Sequence, residues 1–210
     1  MKLPSKSQLT VINDCLYVGP PFLNDLCAII LRFRTYPYGF STDIEKAFLH
    51  IGLPEYDGDF TRFLWLSDDP ESAFQTYRFK VVLFGSTSSP FILNATLHSH
   101  LANYESPIAK DIKNDLYVDN FISGRDTEEE TLEYYNESRP IMAAGKFNLR
   151  SWTFNSKVLR DQATSQNVAD SNKVVNVLGL KWDLISDILT FNHRDSFQHQ
   201  SRYHPTSRIC

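Results

Sequence analysis

Apolar residues along this chain recur with two different periods, and together the periods predict an α+β protein. In PPFLNDLCAIILRFR, residues 20–34, two prolines precede apolar residues at helical spacing, so a helix is expected from about Leu23. YPYGFSTD, 36–43, mixes aromatic and small residues and predicts a short strand ending near Asp43. IEKAFLHI then puts Ile44, Ala47, Phe48 and Ile51 three or four apart, which predicts one or two helical turns with a buried face. TRFLWL, 61–66, and TYRFKVVLF, 76–84, are rich in β-branched and aromatic residues. They predict two strands, with DDPES as the turn between them.

After Gly85, SSPFILNATLHSHLANY predicts a helix capped by Ser88 or Ser89, with Pro90 in its first turn. The triplets LYV and FIS flank Asp119 and Asn120. That pattern predicts a tight β-hairpin, because Asp and Asn tolerate the positive φ such turns need. Asp126 or Thr127 caps a further helix from about Glu128, which Pro140 is expected to kink or divide. NVLGLKW, 176–182, and ILTF, 188–191, predict a last pair of strands. The order is helix, strand, helix, two strands, helix, hairpin, helix, hairpin: an antiparallel sheet with helices on one face. The polar residues 193–210 are expected to form a poorly ordered tail.

Composition narrows the class. With 42% hydrophobic and 13% aromatic residues in 210, the chain can fill a sizeable core and is not a disordered protein. No run approaches the ~18–20 apolar residues of a membrane span, and the first residues lack the apolar segment of a secretory signal. Cys15, Cys27 and Cys210 are unpatterned, which suits a reducing, intracellular setting. The net charge of −4 weighs against a nucleic-acid partner unless Lys and Arg gather on one face, as RFR at 32–34 begins to do. DTEEETLE, 126–133, concentrates acid on what reads as an exposed helix.

Few polar residues fall where the pattern predicts regular structure. Asp43 ends a strand and opens a helix, and Asp119 tips the hairpin. An antiparallel sheet can bring such remote strand ends side by side, and two carboxylates held close become tolerable once divalent cations occupy the gap. Mg²⁺ takes oxygen ligands from one or two carboxylates plus substrate phosphates and water. Each acid also has a plainer reading: Asp43 as a helix cap, Asp119 with Asn120 as turn chemistry. GSTSSP, 85–90, is neither a phosphate-binding P-loop nor a nucleophile elbow. His98 and His100, two apart, do not share a helix face, which argues against zinc.

The order DIEKAF, FGSTSSP, LYVDN, LGLKWD resembles the palm of reverse transcriptases. More closely, the chain is similar to the polymerase region of BEL/Pao-type LTR retrotransposons, through INDCLYVGP, ILRFR, STDIEKAFLHIGL, TRFLWL, LYVDNFISG and NLRSWTFNSK. The resemblance runs from about Ile12 to Asn192. It implies a ferredoxin-like palm with part of the fingers over residues 1–192, and an RNA-directed DNA polymerase acting on dNTPs and an RNA/DNA template–primer with two Mg²⁺, or Mn²⁺ in their place. By position it implies Asp43 and Asp119 as metal carboxylates, with the Ile44 carbonyl as a further oxygen. Phe48 matches a gate against a ribose 2′-hydroxyl. The Lys46 and Ala47 amides, at a helix start, match a triphosphate contact, and Phe84, Gly85, Ser89 and Pro90 the segment against nucleotide and template. Lys157, with Lys146 in competition, matches a lysine near the pyrophosphate, and Leu178 with Gly179 the hairpin that grips the primer.

The resemblance implies a particle in the cytoplasm or nucleus as the setting. It also puts the family's phosphate-clamping fingers residues before Met1, and thumb, RNase H and integrase after Cys210. At the hairpin tip the family usually carries two consecutive acids, where this chain has Asp119 followed by Asn120. Two other readings follow: a truncated, catalytically silent copy, and a nucleic-acid-binding module without chemistry.

Overall fold

A computed structural model describes residues 11–66 and 74–191; the expected DDPES turn and the expected tail lie outside those residues. The chain divides into two compact units, Met1–Ser171 and Asn172–Cys210. The first contains helices α1 (Ile12–Cys15), α2 (Leu26–Thr35), α3 (Ser89–Leu101), α4 (Pro107–Asp115), α5 (Glu128–Ala144) and α6 (Lys157–Ser165). Its strands are β1 (Tyr38–Ile44), β2 (Arg62–Trp65), β3 (Gln75–Arg78), β4 (Leu116–Tyr117), β5 (Asn120–Arg125) and β6 (Leu149–Phe154).

Four strands form one sheet in the order β4-β5-β1-β6, and every pairing is antiparallel. With α3 and α4 between β1 and β4, and α5 between β5 and β6, this is the β-α-β-β-α-β arrangement of a ferredoxin-like fold. The expected α+β class holds. Phe40, Phe121, Trp152 and Phe154 face a core that α3, α4 and α5 close with Leu93, Leu97, Ala109, Ile112, Tyr134 and Met142. Trp152 stacks on Phe154 with centroids 5.6 Å apart, and Tyr135 meets Trp152 edge-on at 4.8 Å. Alternation puts Ile122 on the face away from Phe121, yet it too is buried. There α2 packs against β5.

Several local expectations change. The helix α4 was not expected, although Ser106 caps it through the Ile108 amide and Pro107 opens it. The strand β6 and helix α6 were not expected either, and β6 is the sheet partner of β1. TYRFKVVLF does not continue as one strand. It leaves the β3 ladder after Arg78, and residues 80–82 turn instead to residues 51–53, where Leu53 donates to Lys80 O and Val82 to Ile51 O. Pro140 does not divide α5. Its ring and Asn136, whose carbonyl loses a partner there, are both exposed, so water can serve that carbonyl. Thr127, with Glu130, supplies a capping box.

The second unit is an antiparallel meander of β7 (Val174–Val177), β8 (Leu180–Asp183) and β9 (Ile188–Phe191). Two strands were expected and three are present. Leu178 and Gly179 sit at φ 49° and 85°, both positive as a two-residue type I′ turn requires, and so NVLGLKW folds back on itself.

Candidate active site

The end of β1 is where the remote segments meet. Asp43 pairs in register with Asn120 of β5 on one side and with Arg150 of β6 on the other. The next residue, Ile44, donates its N–H to the Asp119 carbonyl at 2.8 Å. Asp119 belongs to the two-residue turn Val118–Asp119 that joins β4 to β5. Asp43 is therefore not a helix cap. It is a strand residue whose neighbour Ile44 points into the core, so its own side chain lies on the opposite face from α3, α4 and α5.

The turn is one residue earlier than expected. Asn120 is the first residue of β5, opposite Tyr117, and the positive φ falls on Val118 at 57°. A β-branched residue is a poor occupant of that region. The shift follows from tertiary register: the Asp43–Asn120 pairing and the Ile44–Asp119 bond draw Asn120 into the sheet. Strain of this kind costs about 1–3 kcal/mol and persists only where the surroundings over-determine it. The Asn120 amide donates to Asp119 Oδ1 at 2.9 Å, so its nitrogen steadies the neighbouring carboxylate.

The electrostatics show the crowding. Burial, first of all, pushes the Asp43 carboxyl above its ordinary range, and the negative charges of Asp119 and Asp170 push the same way. A hydrogen bond with Ser151 and one with the backbone oppose them. Ser151 and Asp170 carry no sequence signal of a site, because β6 itself was not anticipated. The β1–β6 register shifts between Ser41 and Asp43, and Ser151 takes φ 53° there. A bulge of this sort re-aims side chains, here Ser151 toward Asp43. Val168–Asp170 lies beside β6, with Trp152 donating to Val168 O and Asp170 to Trp152 O. Among the described residues no group of three or more His, Cys, Asp and Glu is close enough to hold one ion.

The other expected site residues divide. Lys46 is at φ 52° and precedes a single 3-10 turn, Ala47–His50. One such turn aligns too few peptide dipoles to act as a helix N-terminus, so the expected helix start at the Lys46 and Ala47 amides is not there. Ile44, Ala47, Phe48 and Ile51 do form the expected buried face. Phe48 packs in the core and meets Phe84 edge-on at 5.7 Å. Phe84 is 85% exposed. Gly85 adopts φ 86°, with open space where a Cβ would stand. Its loop is held by Ser89 donating to Leu83 O at 2.5 Å and by Asn13 donating to Gly85 O at 3.1 Å.

Lys157 is not brought to this place. It follows Asn155, whose N–H bonds Gly39 O, and Gly39 lies four residues along β1 from Asp43, roughly 13 Å at strand rise. Lys146 is at the nearer end, two residues before Asn148, whose carbonyl accepts from Glu45 N. Leu178 and Gly179 form the β7–β8 turn of the second unit.

No protein-family model matches the sequence, and no curated protein matches it. Among solved structures the chain is similar to the foamy viral protease–reverse transcriptase in complex with an RNA/DNA hybrid. The TM-score there is 0.50 at 16% identity, over 77% of this chain and 18% of that one. It is also similar to the dRH form of the foamy viral protease–reverse transcriptase in complex with double-stranded DNA. That match has a TM-score of 0.53 at 17% identity, over 80% of this chain and 25% of that one. The chain thus spans about a quarter or less of the structures it matches. The likeness establishes a reverse-transcriptase-like fold.

Proposed function

We propose that this chain is the palm, with part of the fingers, of an RNA-directed DNA polymerase from a BEL/Pao-type retrotransposon. Its reaction is the templated attack of a primer 3′-hydroxyl on the α-phosphate of a dNTP. The observation that carries the reading is the meeting of Asp43 and Asp119 at one sheet end, through the Asp43–Asn120 register and the Ile44–Asp119 bond. The RNA/DNA hybrid and duplex DNA held by the structural neighbours support a template–primer as partner.

The donor set fits Mg²⁺. Two carboxylates that raise each other's energy, with a backbone carbonyl beside them and substrate phosphates to complete the shell, are what a hard octahedral ion takes. Asp43, Asp119 and the Ile44 carbonyl would hold it. When bound, a pair of such ions activates the attacking hydroxyl and stabilises the leaving pyrophosphate. The chain's own contribution is placement, which does most of the work in phosphoryl transfer. β1 and the β4–β5 turn fix the carboxylates on paired backbone, and Asn120 holds Asp119 by its Oδ1. Phe48, wedged between core and Phe84, offers a rigid ring edge against which a 2′-hydroxyl would clash. The open space beside Gly85 admits a base close to the backbone.

A second reading, a silent copy, draws on Asn120, which adds no charge where a carboxylate would. Primer extension on an RNA template with Mg²⁺ or Mn²⁺ decides between them, comparing the wild-type chain with Asp43→Ala and Asn120→Asp. Extension abolished by Asp43→Ala supports the polymerase. A wild-type signal equal to Asp43→Ala, and a large gain in Asn120→Asp, would identify the silent copy. Template–primer binding indifferent to both substitutions and to metal would favour a binding module.

A further inference from the structure

We infer that Asn24 and Arg32 are positioning residues that clamp the base of the Asp119 hairpin and so set that carboxylate against Asp43. The inference rests on the proposed function for its purpose, but the clamp itself is a matter of backbone geometry. The helix α4 ends at Asp115, and the chain passes at once into β4, a strand of two residues with two ladder partners. A helix C-terminus leaves its last carbonyls without intrahelical donors. The Ile112 carbonyl is served from within, by the Leu116 N–H. The next ones are reached from another element. Asn24 Nδ2 donates to Lys113 O at 2.7 Å and to Leu116 O at 2.9 Å. Arg32 Nη2 donates to Asn114 O at 2.6 Å and lies 3.3 Å from Asp115 Oδ1.

The four contacts fall on four consecutive residues, 113–116, with Tyr117 alone between them and the strained Val118. Two ladder pairs alone are a slight restraint for a β-branched residue at positive φ. The clamp supplies the rest, and it is itself anchored. Asp25 caps α2 by accepting from Ala28 N at 2.8 Å, and Ile29 and Phe33 are buried. At the other end of α2, Tyr36 lies so near Gly124 of β5 that a Cβ there would approach it to 2.6 Å. The segment from Asn24 to Tyr36, with α2 at its centre, thus bears on both strands of the hairpin.

Amide hydrogen exchange by NMR on the full chain tests this without recourse to catalysis, using Asn24→Ala and Arg32→Met. Removal of side-chain bonds to carbonyls should speed exchange of the Ile44, Leu116 and Phe121 amides about tenfold, and leave α5 and β6 amides unchanged. Ser156→Ala, which removes the α6 cap, is the control for ordinary destabilisation and should leave the hairpin amides alone. In primer extension the clamp variants should lower kcat at least tenfold with the KM for dNTP unaltered. Hairpin exchange that does not change, or that rises together with all other amides as a global loss of stability, would overturn the clamp. A wild-type chain without polymerase activity would remove the proposed function and leave the exchange result standing.

Discussion

Asp115 gives the sharpest quantitative test of how this core is built. It is 3% exposed, at the last turn of α4, and two arginines approach it. Neither serves it alone. Arg125 Nη2 is 2.7 Å from Asp111 but 3.9 Å from Asp115 Oδ2, and Arg32 divides its donors between Asp115 and Asn114 O. Asp115 Oδ2 accepts no hydrogen bond. Burial therefore outweighs the Ser123 hydrogen bond and the arginine charges, and the carboxyl is raised from 3.8 to about 6. A group raised in the folded state binds its proton more tightly there than in the unfolded chain. Its contribution to stability is complete below pH 3.8 and is lost as pH rises through about 6. At about 1.4 kcal/mol per pH unit the whole effect is about 3 kcal/mol, of which about 1.3 kcal/mol falls between pH 5 and pH 7.

The expected outcome is unusual in sign for a carboxyl: Asp115 adds stability on mild acidification, while His98, lowered by burial, costs stability as pH falls and does so equally in both proteins. Urea unfolding at half-unit steps from pH 5 to pH 8, on wild type and on Asp115→Asn, measures it. Asp43 is also raised and keeps its own slope in both proteins, so the difference between the curves isolates Asp115. Glu45, Asp59 and Asp183 are lowered. Their stabilising effect is lost only as pH falls below the unfolded carboxyl range, outside the window. A difference curve that is flat, or that rises with pH, would refute the account of Asp115 as a carboxyl in which burial wins.

Three further outcomes follow from the backbone and the acid pair. Lys46→Gly relieves a left-handed residue whose side chain is exposed, and should raise stability by about 0.5–1 kcal/mol; a lowered melting temperature would contradict the αL assignment. Gly85→Ala and Gly124→Ala should both destabilise, for different reasons. The first meets open space but a φ of 86°, and costs about 1–2 kcal/mol of strain. The second drives a Cβ to 2.6 Å from Tyr36 and 2.9 Å from Tyr38 O, and costs at least about 1–3 kcal/mol in a paired strand; equal, small effects in thermal melts would reject the distinction. Asn120→Asp removes the donor to Asp119 Oδ1 and adds a third charge. It should lower the metal-free melting temperature, with recovery in millimolar Mg²⁺ that Asp43→Ala abolishes; recovery that survives Asp43→Ala would separate Asp43 from the ion.

What could be read from the sequence was local or strongly periodic. The Phe40–Asp43 strand, the buried face Ile44, Ala47, Phe48 and Ile51, and the Thr127 cap each announce themselves within a few residues, through spacing or a single side-chain bond. The two acids that meet were also visible, as polar residues at the ends of apolar runs. The failures share a cause. The Val118–Asp119 turn defies the turn preference of Asp and Asn because the β1–β5 register outbids it. TYRFKVVLF has the composition of one strand, but the pull of Ile51 and Leu53 on its second half divides it. The strand β6 alternates irregularly because of its bulge at Ser151, which hid both the strand and the polar neighbours of Asp43. The helices α4 and α6 have no excuse of this kind: Ser106, Pro107, Ile108 and Ile112 are a cap, a first turn and a helical repeat, and Ser156 with Leu159 and Ala163 is a cap and a repeat as well.

The position of β1 within the sheet explains why Asp43 is raised as well as near Asp119. In the order β4-β5-β1-β6 it is an interior strand, so an acid near its end is flanked on both sides. Here one flank brings Asp119 and the other brings Ser151 and Asp170, and burial leads the causes that raise Asp43. Hydrogen bonds from Ser151 to Asp43 and from Asn120 to Asp119 offset part of this, one acid at a time. A proton would quiet Asp43 alone. On the proposed reading, a divalent cation between the two carboxylates would offset the repulsion while leaving both ionised and free to act as ligands.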